Sequence, residues 1–347
     1  MDRCRLRSRG ASTRFAPARM KPALQNHGAL GQTAGNTNLT PMTCPLCRGV
    51  EFELHLKNCF DRRHWRPGIF EIYRCKACQV LVTKPWPVGD ELAAYYPSDY
   101  VSFAPRDQRP SRLARALRSL VRLPYVLRYG SVNRTPSPPR LGSVLLDIGS
   151  GAGSYLHQMK ELGWRVYGIE PSPAVAAAAA RAAGISLDAI FVGSTDEAHW
   201  PDATFDLITL SHVLEHLSQP LRTLEKINRW LRPGGMVRIW LPNVESAESR
   251  IFAGLWFGLD IPRHLVHYSP ATVRQLLQNT GFEVKHLVPE YQGSSLSGSL
   301  RLTADALSRR HRSYRHSNLL YYATLPLASL LLSLGNSPTI DVTAKKL

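Results

Sequence analysis

The stretch Val144-Leu-Leu-Asp-Ile-Gly-Ser-Gly-Ala-Gly153 decides how this chain is read. Val144 to Leu146 is a short apolar run of the kind that forms a buried strand. Asp147 ends it, and Gly149, Gly151 and Gly153 alternate after it. Tyr155, Leu156 and Met159 then recur on one side of a helical pattern. Strand, glycine turn and helix bring bare backbone N–H groups up to a charged small molecule. The next strand, Arg165 to Ile169, ends at Glu170. An acid about 20 residues after such a turn suits a ribose with free hydroxyls. The stretch therefore predicts a site for a nucleotide-like cofactor.

Strands and helices alternate downstream, which predicts a parallel sheet covered on both faces. Ser172 caps a helix with Pro173 in its first turn, and Gly184 ends it. Ala189 to Val192 and Phe205 to Leu210 read as strands, and Ser211 to His216 as a strand edge entering a helix. The helix 219–231 ends in Leu231-Arg-Pro-Gly-Gly235, a tight turn into the strand Met236 to Leu241. In such sheets ligands bind at the carboxyl ends of strands, here Asp147, Glu170, Ser211, His212, Pro242 and Asn243.

Upstream, Cys44-Pro-Leu-Cys47 and Cys75-Lys-Ala-Cys78 form a CxxC…CxxC pattern. Each CxxC is a tight turn that points two thiolates at one place, and two such turns make a closed tetrahedral S₄ site for structural zinc. Alternating text between the pairs (Glu51 to Leu56, Ile69 to Arg74) suits a zinc ribbon over 42–84. Thiolate metal binding points to a reducing, cytoplasmic compartment. Cys4 and Cys59 are read as free thiols.

The net charge of +17 is concentrated in residues 1–22, 106–140 and 309–315. It reads first as solvated surface, then as attraction to an anionic substrate or membrane face, and least as nucleic-acid binding. Residues 1–41 have no periodicity and no apolar segment of signal-peptide length, and are expected to be a disordered basic extension. Met42 is an alternative start. Residues 85–142 read as a linker carrying a basic helix from Ser111 to about Leu123, and 143–347 as the catalytic domain.

Leu146-Asp-Ile-Gly-Ser-Gly-Ala-Gly153, Gly168-Ile-Glu170, Phe205-Asp206, Leu214-Glu-His216 and Leu231-Arg-Pro-Gly-Gly235 occur in the order and spacing of a known family. Over residues 143–290 the chain resembles class I S-adenosylmethionine-dependent methyltransferases. With the cysteine pairs and Pro262-Arg-His264 it looks like the subgroup carrying an N-terminal zinc ribbon. The resemblance implies a doubly wound, mostly parallel seven-stranded α/β sheet (Rossmann-like), whose final antiparallel strand is Thr339 to Ala344. It implies that backbone around Gly149, Gly151 and Gly153 passes the methionine portion, that Asp147 orders that pocket, and that Glu170 accepts from the ribose hydroxyls. Ser194, Ser211 and His212 would line the remainder, with Asp196 and Glu197 as other candidates beside the adenine. The GxGxG spacing, with Ser154 where a dinucleotide site wants glycine, disfavours a nicotinamide.

Methyl transfer needs aligned reactants and a group to take a proton, for which His264 and His216 are the candidates. His212, Glu215 and His216 could instead hold a divalent ion. The excursion Val244 to Tyr268, with Phe252, Trp256 and Phe257, could roof an acceptor pocket. The expected acceptor is a small molecule: a sugar, a lipid-linked glycan or a quinone-like precursor. The uncharged helix near 318–335 could rest on a membrane surface. The alternative is a zinc-ribbon binding protein whose methyltransferase-like domain recognises RNA or a protein partner. No aromatic-basic interleaving of the RNA-recognition type supports it, and no nucleic acid is expected.

Overall fold

The computed structural model describes residues 42–96, 119, 123–129, 136–290, 294–308 and 317–347. The basic extension, Cys4 and nearly all of the helix expected from Ser111 lie outside them.

Three strands follow the first cysteine pair: β1 (Phe52–Cys59), β2 (Phe70–Cys75) and β3 (Leu81–Lys84). They pair antiparallel in sequence order. A short helix, α1 (Gly89–Ala93), comes next. The second sheet begins with β4 (Val144–Ile148), whose five residues are all buried. It continues through α2 (Ser154–Glu161), β5 (Arg165–Glu170), α3 (Pro173–Ala183), β6 (Ile190–Val192), β7 (Phe205–Ser211), α4 (Pro220–Trp230) and β8 (Leu231–Pro242). Then come α5 (Ala247–Phe252), β9 (Val266–His267), α6 (Pro270–Asn279), β10 (Phe282–Glu290), α7 (Ser294–Leu307), α8 (Asn318–Ser333) and β11 (Thr339–Lys346).

The large sheet runs β10-β11-β8-β7-β4-β5-β6. β8, β7, β4, β5 and β6 are mutually parallel, and β11 inserts antiparallel between β8 and β10, as expected for the last strand. Side-chain alternation along β4 sorts the two faces. Leu145 joins Leu156 and Met159 of α2 and the alanine face of α3. Val144, Leu146 and Ile148 join Leu224, Ile227 and Trp230 of α4 and Val273, Leu276 and Leu277 of α6. The caps read from sequence are made: the Ser172 hydroxyl accepts from the Val175 N–H, and Gly184 closes α3 at φ 62°.

Two local expectations change. Leu231 to Gly235 belongs to β8 as an irregular first stretch, because Leu231 already pairs with Phe205 before the register jumps to Leu207 with Met236. Ser211 to His216 does not enter a helix directly. Leu214–His216 is a single 3₁₀ turn, and α4 begins at Pro220.

The small sheet is completed from outside the ribbon. β9 pairs with β3, Leu81 with His267 and Val82 with Val266. The excursion's aromatics follow it there. Trp256, Leu259 and Ile261 pack with Cys59, Phe70, Ile72, Leu81 and Tyr95 in one core. Trp256 thus fills the ribbon's core instead of roofing a pocket, and the Arg63 guanidinium lies over the Phe257 ring at 3.9 Å.

Candidate functional site

The carboxyl ends of β4, β5 and β7 meet around the glycine turn. Gly149, Gly151 and Gly153 all take positive φ, at 73°, 50° and 79°. The close approaches explain two of them. A Cβ on Gly149 would fall 2.5 Å from Cγ2 of Val213, and one on Gly153 would fall 2.6 Å from the backbone oxygen of Ala179. Gly153 therefore has a packing reason, the contact with α3. The Gly149 and Ser150 N–H groups donate to the Ile169 carbonyl, and the Gly151 N–H donates to Glu170 Oε2 at 3.0 Å. Glu170 Oε1 accepts from the Ser172 N–H at 3.1 Å. Burial pushes the Glu170 carboxyl up, and these two backbone bonds work against that. Asp147 is buried and accepts the Thr209 hydroxyl at 2.7 Å. Burial drives its carboxyl up to about 7, with the Thr209 bond opposing and Glu170 adding to the rise.

Ser211 is exposed at the tip of β7. His212 sits at φ 54° with its N–H on the Trp240 carbonyl. Ser194 lies in the exposed turn after β6, where its N–H and hydroxyl both reach Glu197 Oε2 at 2.7 and 2.8 Å. Sequence reading missed Ser150, whose buried hydroxyl makes no hydrogen bond among the described residues.

The turn after β7 carries a second group of side chains. Glu215, His216 and His264 bring one ligand atom each within 4.8 Å of the others. The His216 and His264 rings stand edge to face at 4.7 Å between centroids. His264 Nδ1 is 2.9 Å from the Gly258 carbonyl, and His216 Nδ1 is 2.8 Å from the Arg263 carbonyl and 3.0 Å from the Tyr96 hydroxyl. A carbonyl only accepts, so each Nδ1 carries the hydrogen and each Nε2 keeps a lone pair. His264 Nε2 lies 3.9 Å from Glu215 Oε1, and His212 Nδ1 donates to that oxygen at 3.2 Å. The third member of the close group is thus His264. His212, the other histidine read as a divalent-ion ligand, holds the carboxylate from the side. Burial, with His216 adding to it, lowers the His264 imidazole to about 4. Burial also works to raise Glu215, but the bond from His212 and the nearby imidazoles hold it at about 2.

The ribbon fixes His264 on both sides. Arg263 is fully buried and makes five hydrogen bonds, matching its five N–H groups. Nη1 and Nη2 reach Asp61 at 3.0 and 2.8 Å, Nε and Nη2 reach Asp260 at 2.9 and 2.6 Å, and Nη1 also reaches the Tyr95 carbonyl. Arg63 binds the other Asp260 oxygen at 2.6 Å. Burial would raise the Asp260 carboxyl, and the two guanidinium groups overcome it and hold it far below the carboxylate range. After His264, the Thr83 hydroxyl donates to its carbonyl at 2.8 Å and the Thr83 N–H to that of Leu265 at 2.9 Å. Leu265 N–H then donates to the Glu215 carbonyl at 2.8 Å, tying the segment to the turn after β7. The sequence offered a signal for none of these partners: Asp61, Thr83, Tyr96 and Asp260 stand in no motif.

Cys44, Cys47, Cys75 and Cys78 form the other close group. Cys44 and Cys78 Sγ atoms are 3.5 Å apart, as are those of Cys47 and Cys75. A tetrahedron of Zn–S bonds near 2.3 Å has edges of about 3.8 Å, close to these two separations, and all four sulfurs lie within 4.8 Å of one another, so the group has the size of a zinc site. Cys59 is buried apart from them as a free thiol, raised by burial.

A model of the methyltransferase domain family matches residues 108–287. Among curated proteins, an uncharacterised methyltransferase of Mycobacterium leprae is 33% identical over 111 residues, 31% of this chain and 41% of that protein. A ubiquinone biosynthesis O-methyltransferase of Paraburkholderia xenovorans is 32% identical over 115 residues, 32% of this chain and 49% of that protein. The chain thus spans about two fifths to half the length of these relatives. A solved S-adenosylmethionine-dependent methyltransferase from Mesorhizobium loti is 20% identical, with a TM-score of 0.40 over 60% of this chain and 93% of that one.

Proposed function

The chain belongs to the methyltransferase domain family, and from that premise we propose that it moves a methyl group from S-adenosylmethionine to an oxygen of a small-molecule acceptor. The observation that carries the reading is the placement of Glu215, His216 and His264 at the carboxyl end of β7, one turn from the glycine loop. The cofactor supplies an electrophilic methyl carbon on a sulfonium. Asp147 and Glu170 supply negative charge and acceptors beside the glycine turn, and Ser194, Ser211 and His212 stand at the neighbouring strand ends. The acceptor oxygen attacks the methyl carbon, the C–S bond breaks, and its electron pair stays on sulfur. His264 Nε2, with its lone pair free and its other nitrogen anchored, takes the hydroxyl proton, and His216 stands beside it.

The name of the P. xenovorans relative supports an oxygen acceptor of the quinone-precursor kind. Sugar hydroxyls satisfy the same chemistry. Among the described residues no helix is long and apolar enough to cross a membrane. Leu319, Leu327 and Leu330 of α8 and Leu334 just after it are exposed, and an acceptor with a lipid tail would be met there at a bilayer surface. Four cysteines able to hold structural zinc complete the reading.

Isothermal titration with S-adenosylmethionine, followed by labelled methyl transfer to a panel of phenols and sugars, tests this. Wild type should bind the cofactor, Asp147→Ala should bind it at least about tenfold more weakly, and His264→Ala should bind normally but transfer slowly. Absence of cofactor binding by the folded wild type would refute the proposal.

A further inference from the structure

The turn after β7 poses an electrostatic problem. His264 Nδ1 and His216 Nδ1 each spend their hydrogen on a backbone carbonyl, those of Gly258 and Arg263. Each ring therefore presents Nε2 as a lone pair. Glu215 is 1% exposed, and its Oε1 is held by His212. Its Oε2 is buried and has no hydrogen-bond partner among the described residues. Glu215, His216 and His264 thus each bring one potential ligand atom within 4.8 Å of the others, His264 Nε2 lies 3.9 Å from Glu215 Oε1, and the second oxygen of that carboxylate has no donor among the described residues. An unanswered buried carboxylate oxygen costs the full desolvation penalty of that atom, and two facing lone pairs add to it. Something positively charged belongs there.

The supporting contacts have the form that metal ligands require. A ligating histidine donates its second N–H to a carbonyl or carboxylate, which fixes the tautomer and the ring direction. Both histidines do this with backbone carbonyls, which are rigid acceptors. The Glu215 carboxylate is steadied by His212 in the same way. Two imidazoles and one carboxylate are the donor set of a borderline divalent ion such as Zn²⁺, Co²⁺ or Fe²⁺, and leave coordination positions open. Mg²⁺ and Ca²⁺ prefer all-oxygen surroundings.

We infer that Glu215, His216 and His264 form a second metal site, distinct from the four cysteines, which binds a borderline divalent cation and presents it to the oxygen of the acceptor. The inference rests on the acceptor site proposed above and changes what the histidines do there. They act as ligands, and the acceptor hydroxyl loses its proton to solvent because the cation lowers its pKa. The acceptor class narrows accordingly to molecules whose methylated oxygen can meet a cation: a phenol, an enol, or a hydroxyl beside a second oxygen.

Cobalt(II) is the probe, because thiolate and nitrogen-oxygen sites differ in colour. Metal-free protein is titrated with Co²⁺ and followed by absorption. Two equivalents are expected: one with the intense near-ultraviolet thiolate charge-transfer band, and one with only weak visible bands. In His264→Ala and in Glu215→Gln the second should weaken by more than about tenfold, while the thiolate band stays intact and reports that the protein is folded. A single equivalent in wild type, carrying only the thiolate signature, overturns the inference. So does a second equivalent that survives both variants. The two proposals separate cleanly: a wild type that methylates with one metal per chain, and slows in His264→Ala, keeps the acceptor site and discards the cation.

Discussion

Replacing Asp61 with asparagine removes one charge from the buried pair that joins the ribbon strands to the segment carrying His264. Asp61 and Arg263 are both fully buried, and Asp61 accepts from Nη1 and Nη2 of Arg263 and from the N–H groups of Arg63 and His64. The amide keeps the volume and one carbonyl oxygen for the backbone bonds. It turns one accepting atom into a donor that faces a guanidinium. Arg263 retains Asp260, but Arg63 also draws on that carboxylate, so one negative charge then serves two cations, one of them fully buried. Breaking a buried pair from one side costs about 3–5 kcal/mol; with Asp260 still in place the lower end, about 3 kcal/mol, is expected. Against a total of about 5–15 kcal/mol for a domain this is a large share. Urea unfolding with zinc held constant measures it. A cycle with Arg263→Met separates pair from parts: the double variant should recover at least about 1 kcal/mol relative to the sum of the singles. A cost below about 1 kcal/mol, or strict additivity, would refute the reasoning. Methyl transfer should fall with stability in Asp61→Asn, since His264 follows Arg263 directly and the Arg263 carbonyl orients His216.

Asp147 titrates near 7 without a ligand because burial disfavours its charge. A cation placed beside it favours the carboxylate, so affinity for S-adenosylmethionine should rise with pH up to about 7 and level off above. Proton release on binding, read from titration enthalpies in two buffers, should vanish in Asp147→Asn; release unchanged by that substitution contradicts the assignment. Glu248, buried against the Ser295 hydroxyl, is raised to about 7 from 4.5, chiefly by burial. Its folded pKa lies above the unfolded one, so its contribution is full below about pH 4.5 and is lost as pH rises through 7. The thermal midpoint of Glu248→Gln should therefore fall less between pH 5 and pH 8 than that of wild type; equal falls would remove Glu248 as the cause. Gly153→Ala should destabilise by about 2 kcal/mol or more in urea, from a positive φ and a methyl driven onto the backbone of α3. Cys75→Ser should lose one equivalent of zinc by metal analysis, and unchanged zinc content would show the four thiols are not its ligands.

The difference between what was legible and what was not follows the range of the forces involved. The β4-turn-α2 unit and the start of α3 could be read because their signals lie within a few residues: the apolar run Val144 to Leu146, glycines where φ is positive, and the cap at Ser172. The antiparallel β11 could be read only through the family resemblance, since a strand pattern alone does not reveal that it inserts between β8 and β10. The cysteine pairs were legible because a metal site writes its spacing into the chain. The histidine group was half legible. His216 and His264 stood out as histidines near the expected acceptor site, yet 48 positions of chain separate them, and what brings them together is the Leu265 N–H on the Glu215 carbonyl. Backbone bonds of that kind leave no mark in residue type. The same holds for Arg263. In sequence it is one basic residue in a basic chain; in the fold it is fully buried between two carboxylates, Asp260 three positions away and Asp61 in the ribbon 202 positions away. Burying a guanidinium is tolerable only where every N–H is met, so the ribbon's acid and the excursion's acid have to arrive together. The ribbon therefore belongs to the acceptor site's construction: the strand that closes its sheet, β9, begins two residues after His264.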